Sequence, residues 1–215
     1  IKRDSASFGM HAEFVAEMAR QLVYNQFQSE TYTRGLNVYT TIIAKDQEAA
    51  YQSLREGVLK YDRLHGYRGP ESYIDLPSDS KENEDATIEA ALASRPDSDG
   101  LLAGVVTSAS ADGVKVVLSS GDEVTLSGSA LAFVKNFLNG KQPLQKQIRR
   151  GAIVRVMKQG DHWEFTQLPE VESGFVSISP ADGAIRALEG GFDYNLQKFN
   201  NVTQAWRQPG SGNAG

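Results

Sequence analysis

The amino-acid sequence predicts an α+β fold in which a small five-stranded β-barrel is inserted between helices and antiparallel strands. Three observations predict it. Apolar residues recur with helical spacing up to Leu64. From Leu101 to Leu168 that spacing gives way to short alternating runs broken by turn dipeptides. After Pro169 a longer hairpin follows, so strand-and-helix sequence flanks the barrel on both sides.

The first element is helical. Met10, Phe14, Met18 and Leu22 recur every four residues with Val15 and Val23 beside them, the pattern of an amphipathic helix of about 18 residues. Gly35 then precedes Leu36-Asn37-Val38-Tyr39-Thr40-Thr41-Ile42-Ile43, whose β-branched and aromatic side chains predict a strand. Ala50, Leu54, Val58 and Tyr61 mark a second helix from about Asp46 to Leu64. Asp46 sits where a carboxylate accepts from free backbone N–H groups, and Gly66 and Gly69-Pro70 end the element. Pro77 to Asp99 is rich in Ser, Asp, Glu and Lys and reads as a polar connection with a weakly helical island, Ala86 to Ala93.

The barrel strands follow from alternation. Leu101, Ala103 and Val105 alternate, as do Val114, Val116 and Leu118, then Val124 and Leu126, with Asp112-Gly113 and Gly121-Asp122 as turns. Ala130 to Leu138 reads as a helix. Ile153 to Met157 and Trp163 to Phe165 form a hairpin across Gln159-Gly160-Asp161. Five short strands with one helix between the third and fourth is the order of an OB-type small barrel. Beyond it, Phe175 to Ser179, the turn Pro180-Ala181-Asp182-Gly183, and Ala184 to Leu188 form a hairpin expected to share a sheet with the Leu36 strand. The Gly190-Gly191 pair ends it, with no phosphate-loop or dinucleotide spacing around it.

Composition narrows the chemistry. The 215 residues can bury a core in one large or two small domains. A net charge of −5 argues against a dedicated nucleic-acid binder. No cysteine is present, which excludes disulfides and thiolate chemistry and fits an oxidising compartment such as the bacterial periplasm. No apolar run approaches the ~20 residues needed to span a bilayer. The abrupt start at Ile1 and the Gly210–Gly215 tail read as the ends of a piece cut from a longer protein. His11, His65 and His162 lack the spacing that would hold a metal on one helix face, so no metal or cofactor is expected. Glu82, Glu84, Asp85, Asp97 and Asp99 read as a solvated face rather than a catalytic pair. Lys141, Lys146, Arg149 and Arg150 read as a solvated basic loop. Single-strand binding would also need open aromatic platforms, whereas Phe133, Phe137, Trp163 and Phe165 fall at expected core positions.

Four segments, in order, carry a resemblance. They are Tyr32 to Ile43 followed by Gln47-Glu48-Ala49-Ala50; Tyr61-Asp62-Arg63-Leu64-His65-Gly66-Tyr67-Arg68-Gly69-Pro70-Glu71; Gln167-Leu168-Pro169-Glu170-Val171; and Ser177 to Ser211, ending Phe199-Asn200-Asn201-Val202-Thr203-Gln204-Ala205-Trp206-Arg207-Gln208-Pro209-Gly210-Ser211. The chain resembles class A, bifunctional penicillin-binding proteins of the 1A type in these segments. The resemblance implies a transpeptidase scaffold interrupted by an OB-like insert. It divides the chain into a linker helix (1–34), the start of the scaffold (35–76), a polar connection (77–99), the OB-like domain (100–169), strands leading to the catalytic-serine position (170–211) and a tail or join (212–215).

The family joins a glycosyltransferase to a serine transpeptidase that uses S-x-x-K, S-x-N and K-T-G motifs and is acylated by β-lactams. By resemblance Ser211 occupies the nucleophile position. An activated serine needs a base within hydrogen-bond reach, and Ala214 stands where the lysine belongs. No K-T-G occurs in the sequence. The expected role is therefore non-catalytic: a scaffold or partner-docking module. The implied partners are the glycosyltransferase and transpeptidase domains of the parent, peptidoglycan, and a periplasmic or outer-membrane regulatory protein. The implied location is the periplasm, with the parent anchored in the inner membrane. An active serine acyl-transferase and an OB-type nucleic-acid module remain the alternatives.

Overall fold

The computed structural model describes residues 10–206. These separate into two compact units, residues 10–61 with 170–206, and Asp62–Pro169. The fold is a mixture of helices and antiparallel sheets. The chain crosses between the units at Tyr61/Asp62 and at Pro169/Glu170.

In the first unit, α1 (Glu13–Phe27) and α2 (Ala44–Leu64) precede a two-stranded sheet of β7 (Phe175–Ile178) and β8 (Ile185–Glu189) in the sequence. The two strands pair antiparallel from Phe175↔Glu189 to Ile178↔Ile185. Phe14, Val15 and Leu188 form the core, with Met18, Ile42, Ile185, Tyr194 and Val202 packed around it. Phe14 meets the Tyr194 ring edge-on at 5.0 Å between centroids. The Leu36–Ile43 run forms no strand. It approaches β8 through the Ile43 N–H, which donates to Arg186 O (2.9 Å), and the Thr41 hydroxyl, which donates to Ile185 O (2.7 Å). Its side chains stay largely outside, Tyr39 at 92% exposure. β-branched sequence favours extended backbone, but a strand also needs a ladder partner along its length.

The second unit is built on one antiparallel sheet. β2 (Leu102–Ala109), β3 (Gly113–Leu118) and β4 (Glu123–Ser127) form a meander. A 3-10 helix (Gly128–Phe137) leads through a loop to β5 (Ala152–Gln159), which pairs with β2, and β6 (His162–Thr166) folds back on β5. The Ala130–Leu138 helix is thus wound more tightly than an α-helix. Leu131, Val134 and Phe137 face the core every third residue, the period at which a 3-10 helix aligns side chains.

The sheet differs from five strands closed into a barrel. A sixth strand, β1 (Ser72–Tyr73), pairs with the start of β5, on the edge that β6 occupies farther along. No ladder joins β4 to β6 among the described residues. Side chains bridge that gap instead, with Leu126, Val134 and Phe165 sharing one cluster. The island predicted in the polar connection is a full helix, α3 (Lys81–Leu92), capped by the Ser80 hydroxyl accepting from Asn83 N–H. Its Ile88 and Leu92 pack on Ala103, Val105, Val117 and Ile153, covering the second face of the sheet. This explains why Ala103 to Val106 is buried without alternation.

Two buried polar groups, Asp62 and Gln167, and the half-buried Arg68 tie the ends of this unit together. Asp62 accepts from Arg68 Nη1 (2.7 Å) and from Gln167 Nε2 (2.8 Å). Gln167 Oε1 accepts from the Arg68 N–H (3.0 Å), its Nε2 donates to Gly66 O (3.0 Å), and Arg68 Nη2 donates to Leu168 O (2.5 Å). Residues 62–68 and 167–168 are thereby clasped where the chain enters and leaves. Arg155, by contrast, lies deep at 3% exposure, donates to Glu71 (2.7 Å) and binds Pro96 O (2.8 Å). Removing one partner of a buried charged network strands the others, at about 1.5–3 kcal/mol per bond. Asp62→Ala is therefore expected to lower the melting temperature of the chain, measured by circular dichroism, more than Asp161→Ala on the exposed β5–β6 turn. Equal melting of the two variants would remove the clasp from the account.

Candidate functional site

The stretch leading towards Ser211 begins at β8 and is organised by α2. Gln47, in the second turn of α2, is fully buried. Its carboxamide binds β8 as a neighbouring strand would: Oε1 accepts from Leu188 N–H (2.9 Å) and Nε2 lies 3.0 Å from Leu188 O. The same Nε2 reaches His11 O (2.8 Å) and the Glu189 carboxyl. One side chain thus satisfies an edge strand and the backbone before α1, groups that would be costly to bury unpaired.

Glu189 is 3% exposed. Burial, with the negative charges of Glu13 and Glu48 added, pushes its carboxyl up to about 8, and the hydrogen bond from Gln47 opposes this. At neutral pH it is a neutral acid held inside the unit. His11 lies 2.9 Å from Glu48 and stacks on Tyr51 at 3.6 Å. Hydrogen bonds from Gln52 and His11 hold the Glu48 carboxyl below its usual range.

After Glu189, the glycine pair allows two close approaches. A Cβ on Gly190 would lie 2.5 Å from the Phe14 ring and 2.7 Å from Asn200 Oδ1. Gly190 O accepts from Asn201 N–H (2.7 Å) and from Asn201 Nδ2 (2.9 Å). Asn200 Oδ1 caps the following turn by accepting from Val202 N–H (3.0 Å) and Thr203 N–H (3.3 Å), while Gln204 Oε1 accepts from Asn200 N–H (2.8 Å). Arg55 closes the far side, stacking on Phe192 at 4.0 Å and donating to its carbonyl (2.9 Å). These bonds hold the lead-in as far as Gln204, and Trp206 beyond it is fully exposed. Ser211 and Ala214 lie outside the described residues.

The other residues singled out in the sequence are dispersed. His162 pairs with Glu164 (3.2 Å) on an exposed hairpin. Asp97 accepts from Ala103 N–H (2.8 Å), and Glu84 binds Arg150 and Lys81. Phe165 is buried, with Phe133, Phe137 and Trp163 packed against the same core. Among the described residues, no group of three His, Cys, Asp or Glu side chains could hold a metal ion. No described helix is long and apolar enough to cross a membrane. Gln47, Glu189 and Asn201 stand inside the segments that carry the resemblance, but the sequence assigns them no role. The Asn200-to-Gln204 cap was visible in principle, as a cap residue with an amide one turn later.

The profile of the penicillin-binding protein OB-like domain matches residues 67–171. Penicillin-binding protein 1A of Neisseria flavescens is 40% identical over 200 residues, covering 93% of this chain and 25% of that protein. The Escherichia coli K12 protein of the same name is 38% identical over 206 residues, covering 93% and 24%. The chain belongs to the penicillin-binding proteins of the 1A type. The crystal structure of penicillin-binding protein 1A from Haemophilus influenzae superposes with a TM-score of 0.78 at 30% identity, over 93% of this chain and 28% of that one. The chain thus spans about a quarter of the length of its relatives of this family.

Two outcomes are expected at this site. A carboxyl whose folded pKa is raised from 4.5 to about 8 leaves the unfolded chain with fewer bound protons in that window. Its contribution to stability is present below about pH 4.5, falls as pH rises to about 8, and is level above. Glu189→Gln keeps the acceptor and removes the charge. Its melting-temperature advantage over the native chain is expected to grow from pH 5 to pH 8.5, and a pH-independent difference would contradict the raised pKa. Gly190→Ala is expected to lose about 1–3 kcal/mol through overpacking in urea titration, while Gly57→Ala, with open space around it, serves as control.

Proposed function

We propose that the chain serves as a non-catalytic periplasmic region of a bifunctional peptidoglycan synthase. In this reading the Asp62–Pro169 unit is an OB-like small barrel that acts as scaffold or docking module. The observation that carries it is the coincidence of the OB-like family match, residues 67–171, with a unit that has a two-faced core and clasped ends. Strand order supports the OB assignment: a β2–β3–β4 meander, a short helix, and a β5–β6 hairpin, with β5 returning beside β2.

The relatives are named penicillin-binding protein 1A, and this kinship supports a parent that works in cell-wall synthesis, with peptidoglycan and the parent's glycosyltransferase and transpeptidase domains as its proposed partners. A periplasmic or outer-membrane regulatory protein is the further partner of the docking role. The parent would be anchored in the inner membrane. The domain limits follow the sequence reading, with 100–169 as the OB-like domain between the scaffold pieces 35–76 and 170–211.

Ser211 holds the nucleophile position by resemblance, and Ala214 supplies no base for it. The chain is therefore expected to show no mass increase on incubation with a β-lactam. An acyl adduct on Ser211 would establish the acyl-transferase alternative. Replacing the whole Asp62–Pro169 unit with a short flexible linker in the full-length synthase is expected to leave a folded protein with impaired coordination of glycan polymerisation and cross-linking. Both activities and partner binding persisting at native levels would rule out the scaffold and docking role.

A further inference from the structure

From Val124 to Gly160 the chain carries seven Lys and Arg residues and no Asp or Glu, although its net charge is −5. The preceding stretch, Asp75 to Asp99, carries eight acids against two cations. Charge is thus sorted within the Asp62–Pro169 unit. Arg155 and Arg150 find acids in Glu71 and Glu84. Lys135, Lys141, Lys146 and Arg149 are exposed, and none of them makes an ion pair among the described residues.

The loop Leu138–Gly151 that carries most of this charge is braced. Lys146 N–H donates to Pro143 O (2.8 Å), Gln147 Nε2 to Gln142 O (2.5 Å), and Ile148 N–H to Phe137 O (2.8 Å). The Tyr73 hydroxyl donates to Gln147 O (2.7 Å), and the Arg149 guanidinium lies over the Tyr73 ring at 4.5 Å. The bonds between 142 and 147 and between 143 and 146 make a tight turn whose base carries Lys141 and Lys146. Two ammonium groups on an ordered turn lose less entropy on binding than two on a mobile tail.

We propose that this loop, with Lys135, binds the free carboxylates of peptidoglycan stem peptides. The proposal rests on the cell-wall reading above and names the surface through which this unit meets the polymer. Ammonium groups are compact point charges suited to isolated carboxylates spaced along a chain. Single-stranded nucleic acid would need open aromatic faces. Here Arg149 covers Tyr73, Arg63 covers Phe133 at 4.5 Å, and Phe165 is buried. A bilayer surface would need an apolar face beside the charge, and the loop exposes one large apolar side chain, Leu144 at 63%.

The test is co-sedimentation of the chain with purified sacculi at low and high salt. Lys141→Glu/Lys146→Glu is compared with Lys60→Glu, an exposed lysine on α2. Binding is expected to weaken with salt, to fall roughly tenfold in the double variant, as loss of two exposed ion pairs would give, and to be unchanged in Lys60→Glu. Circular dichroism checks that the variants fold. Amidating the carboxylates of the sacculi is expected to abolish the salt-sensitive binding. Native-level binding by the double variant, or to amidated sacculi, overturns the assignment of the loop and leaves the cell-wall reading standing. Absence of binding by the native chain also overturns it, and the cell-wall reading is then judged by the linker-replacement experiment on the full-length synthase. Tighter binding to anionic vesicles or to a single-stranded oligonucleotide than to sacculi overturns it in favour of those partners.

Discussion

A unit made from the middle of a chain must bring its two ends together, and here that requirement falls on one carboxylate. Asp62 holds Arg68 on the entering strand of chain and Gln167 on the leaving one. Each bond is short, and Asp62 is nearly inaccessible to water. The sheet between these ends depends on them: β1 and β6 lie next to the clasp in sequence and share one edge of β5. A buried ionic cluster adds little net stability over an apolar one. Its bonds set residues 62–68 in register with 167–168, the two segments that enter and leave the unit.

The first unit solves a different problem with the same device. A two-stranded hairpin is marginal alone and leaves edge groups unpaired. Gln47 supplies the missing partner for Leu188 from a helix, and Phe14 covers the glycine pair where no side chain would fit. Glu189 is the exception to this economy. It places an acid beside two others and stays neutral by burial, which couples the unit to pH without providing a reacting group.

Much of the fold was legible in the sequence because it rests on local periodicity. The four-residue spacing of Phe14, Met18 and Leu22, the alternation at Val114, Val116 and Leu118, and the turn at Asp182-Gly183 each specify an element without reference to anything distant. Readings failed where the partner decides. Leu36–Ile43 has strand composition and no ladder. Ser72–Tyr73 is too short to carry a pattern and is a strand only because β5 lies beside it. The helix Lys81–Leu92 reads as polar connection with only a weakly helical island, Ala86 to Ala93, because its apolar face is two residues, Ile88 and Leu92, whose burial depends on the sheet beneath. At the candidate site, the lead-in to Ser211 was visible as a motif, while the bonds that Gln47, Glu189 and Asn201 make were not. Their roles come from bonds to backbone far away in the chain, and no local spacing encodes such a bond.

The sequence alone determined the order and type of most elements and the family, because residue identity and near-neighbour spacing carry that information. Tertiary structure decided which polar groups are buried and what they bind. Gln47 is an ordinary helix residue until β8 comes within reach, and Asp62 is one acid among many until Gln167 returns to it across 105 residues of chain. Burial is a property of the assembled fold. It is burial that makes the one amide a strand partner and the other acid a clasp.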